Sequence, residues 1–237
     1  MRAILALFLV ASLAHAQFAC LDDCNTRVLD QDGFGSWIYA VVAWIERAYC
    51  QVTCARVYLS MDRARTLSIV ACEEFNGDDP DIYAEGIVQC TFEAFDKFAR
   101  IAAPRGLPIR IRGARRICAD GDVLARLRCA SRAVLAAPII TTMCEYPHMG
   151  PCVDGELPDT IMCDSRNHAV LITRIDTDER HGTARVTFQN SRGRAWGVNG
   201  TAFITISSED IEKDHDPLLI LDHLYTAELS VHSLPRD

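Results

Sequence analysis

The sequence predicts an α+β fold in which a helical first part is followed by a β-rich second part. In the first half, apolar residues recur at helical spacing over residues 37–49 and 86–104. The second half contains four short stretches rich in β-branched residues and bounded by Gly, Pro or Asp: "PIITTM", "HAVLITRI", "ARVTFQN" and "TAFITI". A chain of 237 residues suits one large domain or two closely packed lobes.

The N-terminal stretch "MRAILALFLVASLAHA" has the composition of a secretory signal peptide. It carries one positive charge, Arg2, then an apolar run of about eleven residues and an Ala-x-Ala end. A membrane-spanning helix needs roughly 20 apolar residues, and no later stretch supplies them. We therefore predict a signal peptide at residues 1–16, a domain at 17–237, and secretion or delivery to an endolysosomal lumen without a membrane anchor. The alternative for residues 1–16 is a buried N-terminal helix.

The first predicted helix is amphipathic, because Ile38, Val41, Val42 and Ile45 fall on one face. The second ends at Pro104, where "GLP" follows as a break. A third helix is predicted around "DVLARLRCASRAVLA", ahead of most of the strands. These boundaries predict a helical lobe over about 17–104 and a β-rich lobe over about 105–237. A cleft between two such lobes is a usual place for a site.

The cysteines predict disulfides. All 11 follow residue 16, and in an oxidising compartment they pair. Because the number is odd, at least one is a free thiol or forms an intermolecular disulfide. The alternative is zinc at Cys50/Cys54 or Cys144/Cys152, with His148 nearby, but no compact second pair has zinc-site spacing. We predict neither a metal nor another cofactor.

The charge balance argues against a nucleic-acid partner. The chain has 24 Lys and Arg against 32 Asp and Glu, a net charge of −8, whereas duplex binding needs a basic footprint. A local exception is "RGLPIRIRGARR" at residues 105–116, which carries five arginines. This segment is interpreted either as a solvated face or as a docking patch for an acidic partner.

Three separated stretches together resemble the papain family of cathepsin-like cysteine peptidases. "DQDGFGSW" with Glu46 resembles DQGxCGSCWAF…E, "NHAVLITRID" resembles (D/N/G)HAVxxVGYG, and "QNSRGRAWGVNGTAFITI" resembles KNSWGxxWGExGYxxI. "APIITTMCEYPHMGPC" is a weaker fourth match to the family segment that begins GPVSVA. The resemblance implies a papain-like two-lobe fold, with an N-terminal helical lobe and a C-terminal antiparallel β-barrel-like lobe.

The resemblance also implies roles for four residues. Gln31 occupies the oxyanion-donor position and Ser36 the nucleophile position. His168 occupies the general-base position, and Asn190 the position that orients this histidine. Taken singly, each of the other three residues would favour a non-catalytic interpretation: a surface glutamine, a strand-end histidine and a turn asparagine. Their order along the chain favours the catalytic interpretation.

The nucleophile is where the chain departs from the family pattern. Counting back from Trp37, Ser36 replaces the cysteine, and the loop from Gln31 is one residue short. A cysteine thiol becomes a thiolate beside an imidazolium and a helix N-terminus, whereas a serine hydroxyl needs a base to remove its proton during attack. We therefore expect Ser36 to be a poor nucleophile.

Other departures accompany the serine. Gly33 stands where the family has a half-cystine, so Cys72 must find another partner. Arg192 replaces the tryptophan that shields the Asn–His hydrogen bond, which predicts a looser His168. The family's Cys-x-Gly-Gly segment is not recognisable, and the acidic "NGDDPD" lies in that region. No prosegment precedes Ser36, unless the gene model is truncated.

These observations predict a secreted papain-family homologue that is proteolytically inactive and binds a peptide or protein ligand in the inter-lobe cleft. The first alternative is an active hydrolase that uses Ser36, His168 and Asn190, with Gln31 stabilising the oxyanion. The second is a structural secreted protein linked through its odd cysteine. A sequon at Asn199-Gly200-Thr201 is a candidate N-glycosylation site.

Overall fold

A computed structural model describes most of the chain after the N-terminal region. The described residues are 24, 27–31, 35–72, 86, 88–96, 109–144, 153–157, 168–178 and 180–231. Several predicted features lie outside them: the signal peptide, the seam at 104–108, Gly33, and the "NGDDPD" segment.

Four helices of more than one turn and a short fifth are described, and three of them match the predicted segments. They are α1 (Ser36–Thr53), α2 (Met61–Ala71), α3 (residues 88–96), α4 (Val123–Ala136) and α5 (Ser208–Glu212). Helix α1 is almost wholly buried, since its predicted apolar face and most of its remaining side chains are covered. It begins after Gly35, whose φ of 112° favours glycine because a side chain there would be strained.

Six antiparallel strands form one sheet in the order β1-β6-β2-β3-β4-β5. The strands are β1 (Ile109–Ile117), β2 (Ile139–Met143), β3 (His168–Asp178), β4 (Thr183–Gln189), β5 (Thr201–Ile206) and β6 (Leu224–Val231). Four of them are the predicted strands, while β1 and β6 were not predicted as strands. Among the described strands, β1 and β5 are not paired with each other, so the sheet does not close into a complete barrel.

The sheet separates two hydrophobic cores. Along β3, Ala169 and Leu171 join the core that contains α1, whereas Val170 and Ile172 join the core that contains α4. This alternation is expected because successive side chains of a strand point to opposite faces. The consequence is that α1 is packed against the sheet beside the beginning of β3.

Glu46 is a buried charge that fixes the middle of α1. Its carboxylate is 3% exposed and accepts hydrogen bonds from Arg27 Nη2 at 3.0 Å and from Leu59 N at 2.8 Å. Burial raises the pKa of Glu46 despite these bonds. Glu46 therefore connects α1 to the segments before and after it.

Disulfides secure both halves of the described chain, in agreement with the prediction. Cys24 bonds Cys50, Cys72 bonds Cys90, and Cys118 bonds Cys129; Cys54 and Cys144 are also disulfide-bonded. The bond to Cys90 shows that Cys72 does have a partner other than residue 33.

Neither a membrane-spanning helix nor a metal-binding cluster is present in the described part. None of its helices is long and apolar enough to cross a membrane. No group of three or more His, Cys, Asp or Glu side chains there could hold a metal ion.

Candidate active site

Ser36 lies in the first turn of α1, beside the beginning of β3. The helix has no side-chain cap at Gly35 and no acidic residue in its first turn. The positive end of the helix dipole therefore acts on Ser36 without a compensating charge from that turn. The side chain of Ser36 is 7% exposed.

His168 and Asn190 form a buried pair on neighbouring strands. His168 begins β3, and Asn190 directly follows β4, which pairs with β3 up to Leu171↔Gln189. His168 Nε2 lies 2.6 Å from Asn190 Oδ1, and both residues are 4% exposed. The structure thus brings together two residues that are 22 positions apart in the sequence.

The hydrogen bonds of Asn190 assign the protons of His168. Asn190 Oδ1 also accepts from Ser191 N at 2.7 Å, which identifies this atom as the amide oxygen. His168 Nε2 must therefore donate to it, so in the neutral ring Nδ1 is the unprotonated nitrogen. This is the tautomer in which Nδ1 can accept a proton.

The segment that contains Gln31 is held by a short antiparallel contact against residues 191–193, which directly follow Asn190. Gln31 N donates to Ser191 O at 2.7 Å, and Gly193 N donates to Leu29 O at 3.1 Å. Ser191 Oγ donates to Gln31 Oε1 at 2.7 Å. Because the amide oxygen of Gln31 accepts this bond, the Nε2 end is the donor end of the side chain, as an oxyanion donor requires.

The hydroxyl of Ser36 has a backbone partner. Ala169 N donates to Ser36 Oγ at 3.0 Å, and this bond is buried. Among the described residues, no hydrogen bond joins Ser36 Oγ to the ring of His168. Ser36 therefore lies beside the His168–Asn190 pair, but its oxygen is engaged as an acceptor of a main-chain N–H.

This arrangement favours a negative charge at the Ser36 position. The amide of Ala169 and the helix N-terminus would both stabilise an anion there, as a thiolate would be. A neutral hydroxyl becomes nucleophilic only if a base removes its proton in the transition state. The described geometry lacks the serine–histidine hydrogen bond through which this would occur.

Arg192 does not open the His168–Asn190 pair to solvent. Its side chain is exposed, and its backbone forms an isolated bridge with Asp30. The predicted loosening of His168 is not evident in the geometry, because the hydrogen bond to Asn190 is short and buried. Asn190 is held independently, since its N–H donates to Gly200 O at 2.9 Å.

Sequence reasoning missed Ser191, which links Gln31 to Asn190. Ser191 is 5% exposed and supplies one hydrogen bond to each of these two residues. It lies next to Asn190 in the matched stretch "QNSRG", so the motif contained the signal. The amide of Ala169 was also missed, because a backbone donor leaves no trace in residue identity.

Solved structures of cysteine proteases have the same architecture. The ragweed pollen allergen Amb a 11 in its proform matches with a TM-score of 0.58 and 19% identity, over 87% of this chain and 62% of its own. The Carica candamarcensis protease CMS1MS2, solved with E-64, matches with a TM-score of 0.58 and 15% identity, covering 87% and 94% of the two chains. Bromelain from Ananas comosus, also solved with the E64 inhibitor, gives 0.59 and 18%, covering 86% and 94%.

The fold is papain-like. This agrees with the predicted fold class, an α+β arrangement of helices and an antiparallel sheet. The chain spans about three fifths of the ragweed proform, 62% of its length. No family model and no curated protein matches the sequence. At identities of 15–19% the similarity establishes the fold, and the chemistry of the site has to be argued from its own residues.

Proposed function

We propose that this protein is a secreted papain-fold homologue that lacks peptidase activity and binds a peptide or protein ligand in its cleft. The observation that supports the proposal is the environment of Ser36, whose oxygen accepts the N–H of Ala169, while within the described residues no hydrogen bond joins it to the ring of His168. The neighbouring groups are intact, since His168 is paired with Asn190 and Gln31 with Ser191. A preserved site with an ineffective nucleophile is suited to holding a ligand without cleaving it.

The test of inactivity is hydrolysis of fluorogenic peptides by the purified chain. We expect no turnover above buffer, and the same background for Ser36→Ala, because an unassisted serine hydroxyl does not attack an amide. His168→Ala serves as a second control for a contaminating protease. Turnover that disappears in both variants would contradict the proposal.

Cleft binding is tested separately with photoreactive peptides. Peptides retained by the intact chain should crosslink at residues beside Ser36 and His168, such as Trp37, in mapping by mass spectrometry. The heat-denatured chain provides the matched control. Crosslinks distributed over the surface without enrichment at these residues would argue against a functional cleft.

An active hydrolase is the second candidate, because the His168–Asn190–Ser191–Gln31 assembly is complete. In this function, the O–H of Ser36 would have to donate to His168 Nδ1 once substrate is bound, while Oγ can continue to accept from Ala169 N. A serine-directed fluorophosphonate should then label Ser36, which the inactive protein would not allow.

Secretion, glycosylation and an intermolecular disulfide belong to the same proposal. The three described disulfides with assigned partners fit an oxidising compartment. Asn199 is exposed in a turn, as a glycan acceptor must be. Since all eight described cysteines are bonded and the total of 11 is odd, the cysteine available for a partner chain is among Cys20, Cys152 and Cys163.

A further inference from the structure

A large groove, here called the back groove, lies at the ends of α1 and α4 remote from Ser36. It is lined by the C-terminal turns of both helices and by β1 and β6, including Val52, Ala133, Leu135, Arg115 and Thr226. Its volume is about 850 Å³, which is sufficient for a short peptide. Ser36 is at the opposite end of α1, so the back groove is separate from the candidate active site.

Within the described chain, part of β6 has no strand partner on one side, and the back groove reaches this open edge. Strand β2 pairs with β6 only at Tyr225 and Leu224, although β6 continues to Val231. Beyond Tyr225, the described strands pair with β6 on the β1 side alone. In antiparallel sheets alternate N–H and C=O groups point to each side of a strand, so this edge presents donors and acceptors for another strand.

The lining shows that the groove meets β6 at this edge. The four consecutive residues Thr226 to Leu229 all border it. Consecutive side chains point to opposite faces of a sheet, so a groove confined to one face would contact only alternate residues. An extended segment in the groove could therefore pair with the main chain of β6.

The rim of the back groove is apolar on the helical sides. Val52 on α1 is 56% exposed and Leu135 on α4 is 77% exposed. In the described part of the chain, only two other large apolar residues are exposed, Tyr58 and Val198. Two exposed apolar side chains flanking an open strand edge provide contacts for apolar side chains of an added strand.

The adjoining strand makes the surface basic. Strand β1, "IRIRGARRI", carries four arginines and no acidic residue, in a chain of net charge −8. Arg110 and Arg112 are exposed, and within the described chain neither forms an ion pair. Arg112 is opposite Glu228, which Arg115 contacts at 3.4 Å. Of these charged residues Arg115 and Glu228 line the groove, whereas Arg110 and Arg112 lie on β1 outside the lining, opposite Ser230 and Glu228 of β6. The excess positive charge is therefore next to the end of the groove at Glu228, and it is complementary to an acidic partner.

We propose that the back groove binds an extended acidic and apolar segment of a partner protein, which adds as a strand to the open edge of β6. Apolar side chains of the segment pack against Val52 and Leu135, and its carboxylates face Arg110 and Arg112. This partner site is independent of the cleft and of whether Ser36 is catalytic.

The experiment measures binding of a fluorescein-labelled peptide pool to the full chain by anisotropy. The pool consists of octapeptides that alternate Glu or Asp with Val, Leu or Ile. We expect saturable binding that Val52→Ser with Leu135→Ser weakens at least about tenfold, and Arg110→Gln with Arg112→Gln by a similar factor that shrinks in high salt. The matched controls, Val198→Ser and Arg180→Gln, should leave the affinity unchanged.

Peptides with a modified backbone distinguish strand addition from modes of binding that use only the side chains. N-methylation of alternate amides should reduce the affinity at least about tenfold for the register that pairs with β6, because it removes the main-chain donors. Absence of saturable binding, or equal affinity of all N-methylated pools, would overturn the proposal. Loss of binding in His168→Ala would place the peptide in the cleft instead. Binding of heparin that depends on Arg110 and Arg112 but not on Leu135, without peptide binding, would identify a polyanion surface and also overturn it.

Discussion

At the residue scale, one oxygen atom determines what this site can do. Ser36 stands where the sequence predicts the nucleophile, at the N-terminus of α1, and its oxygen accepts a hydrogen bond from Ala169 N. His168 has the tautomer of a base because Asn190 and Ser191 fix the amide that accepts its Nε2 proton. The environment is suited to an anion, and an alcohol is not an anion at neutral pH.

The prediction at this scale concerns Ser36→Cys. The introduced thiol should react with iodoacetamide well below pH 8.5, the ordinary thiol pKa, because His168 and the helix N-terminus favour the thiolate. The measurement is the rate of alkylation of the peptide containing position 36 as a function of pH, by mass spectrometry.

The matched variant combines Ser36→Cys with His168→Ala. Its pH profile should shift towards that of an ordinary thiol, since the imidazolium partner is lost. Identical profiles in the two variants would show that His168 does not act on position 36, and would weaken the interpretation of the site as a former peptidase centre.

At the element scale, α1 carries both the site and the buried carboxylate that holds it. Glu46 is 3% exposed and accepts hydrogen bonds from Arg27 and from Leu59 N, and burial raises its pKa. The folded state therefore binds the Glu46 proton more tightly than the unfolded chain does. The stability that protonated Glu46 contributes is complete at a pH below the pKa of Glu46 in the unfolded chain. It is lost as the pH rises through the higher pKa of Glu46 in the folded protein.

We predict that Glu46→Gln removes the part of the pH dependence of stability that comes from the titration of Glu46. Relative to the wild type, the variant should become more stable, with a larger free energy of unfolding, as the pH rises from 4.5, the ordinary pKa of a glutamate, through the raised pKa of Glu46. Urea denaturation at several pH values measures the difference. A difference that is constant with pH, or that changes in the opposite direction, would mean that ionised Glu46 is not penalised in the fold.

At the scale of the whole molecule, disulfides support a chain whose two cores lie on opposite faces of one sheet. Cys24–Cys50 and Cys72–Cys90 lie in the helical part, and Cys118–Cys129 connects the end of β1 to α4. Each bond closes a short loop in the unfolded chain and so lowers its entropy.

The corresponding prediction is that replacing Cys72 and Cys90 together by alanine lowers the free energy of unfolding by about 3 kcal/mol, because the bond closes a loop of 18 residues. Denaturation of the oxidised protein and of the double variant gives this value. Replacement of Cys72 alone is the control, since it should release one thiol at Cys90. No released thiol would contradict the assigned pairing.

Sequence reasoning located three of the described helices, α1, α3 and α4, and the four strands β2 to β5, because their patterns are local. Alternation and β-branched residues identify β3, β4 and β5, and helical periodicity identifies α1 and α4. Strand β1 was interpreted as a basic surface segment, because its exposed arginines obscured the alternation with Ile109 and Ile111. Strand β6 was missed, since its place in the sheet depends on pairing with distant β1 and β2.

The sequence by itself determined the order and spacing of Gln31, Ser36, His168 and Asn190 along the chain, and from this spacing it predicts the four positions of the candidate site. Only the tertiary structure decided how their atoms are connected. Three hydrogen bonds join segments that are far apart in sequence. They run from Ala169 N to Ser36, between His168 and Asn190, and from Ser191 to Gln31. Hydrogen-bond geometry depends on distances set by packing of α1 against the sheet, and residue identity alone does not contain those distances.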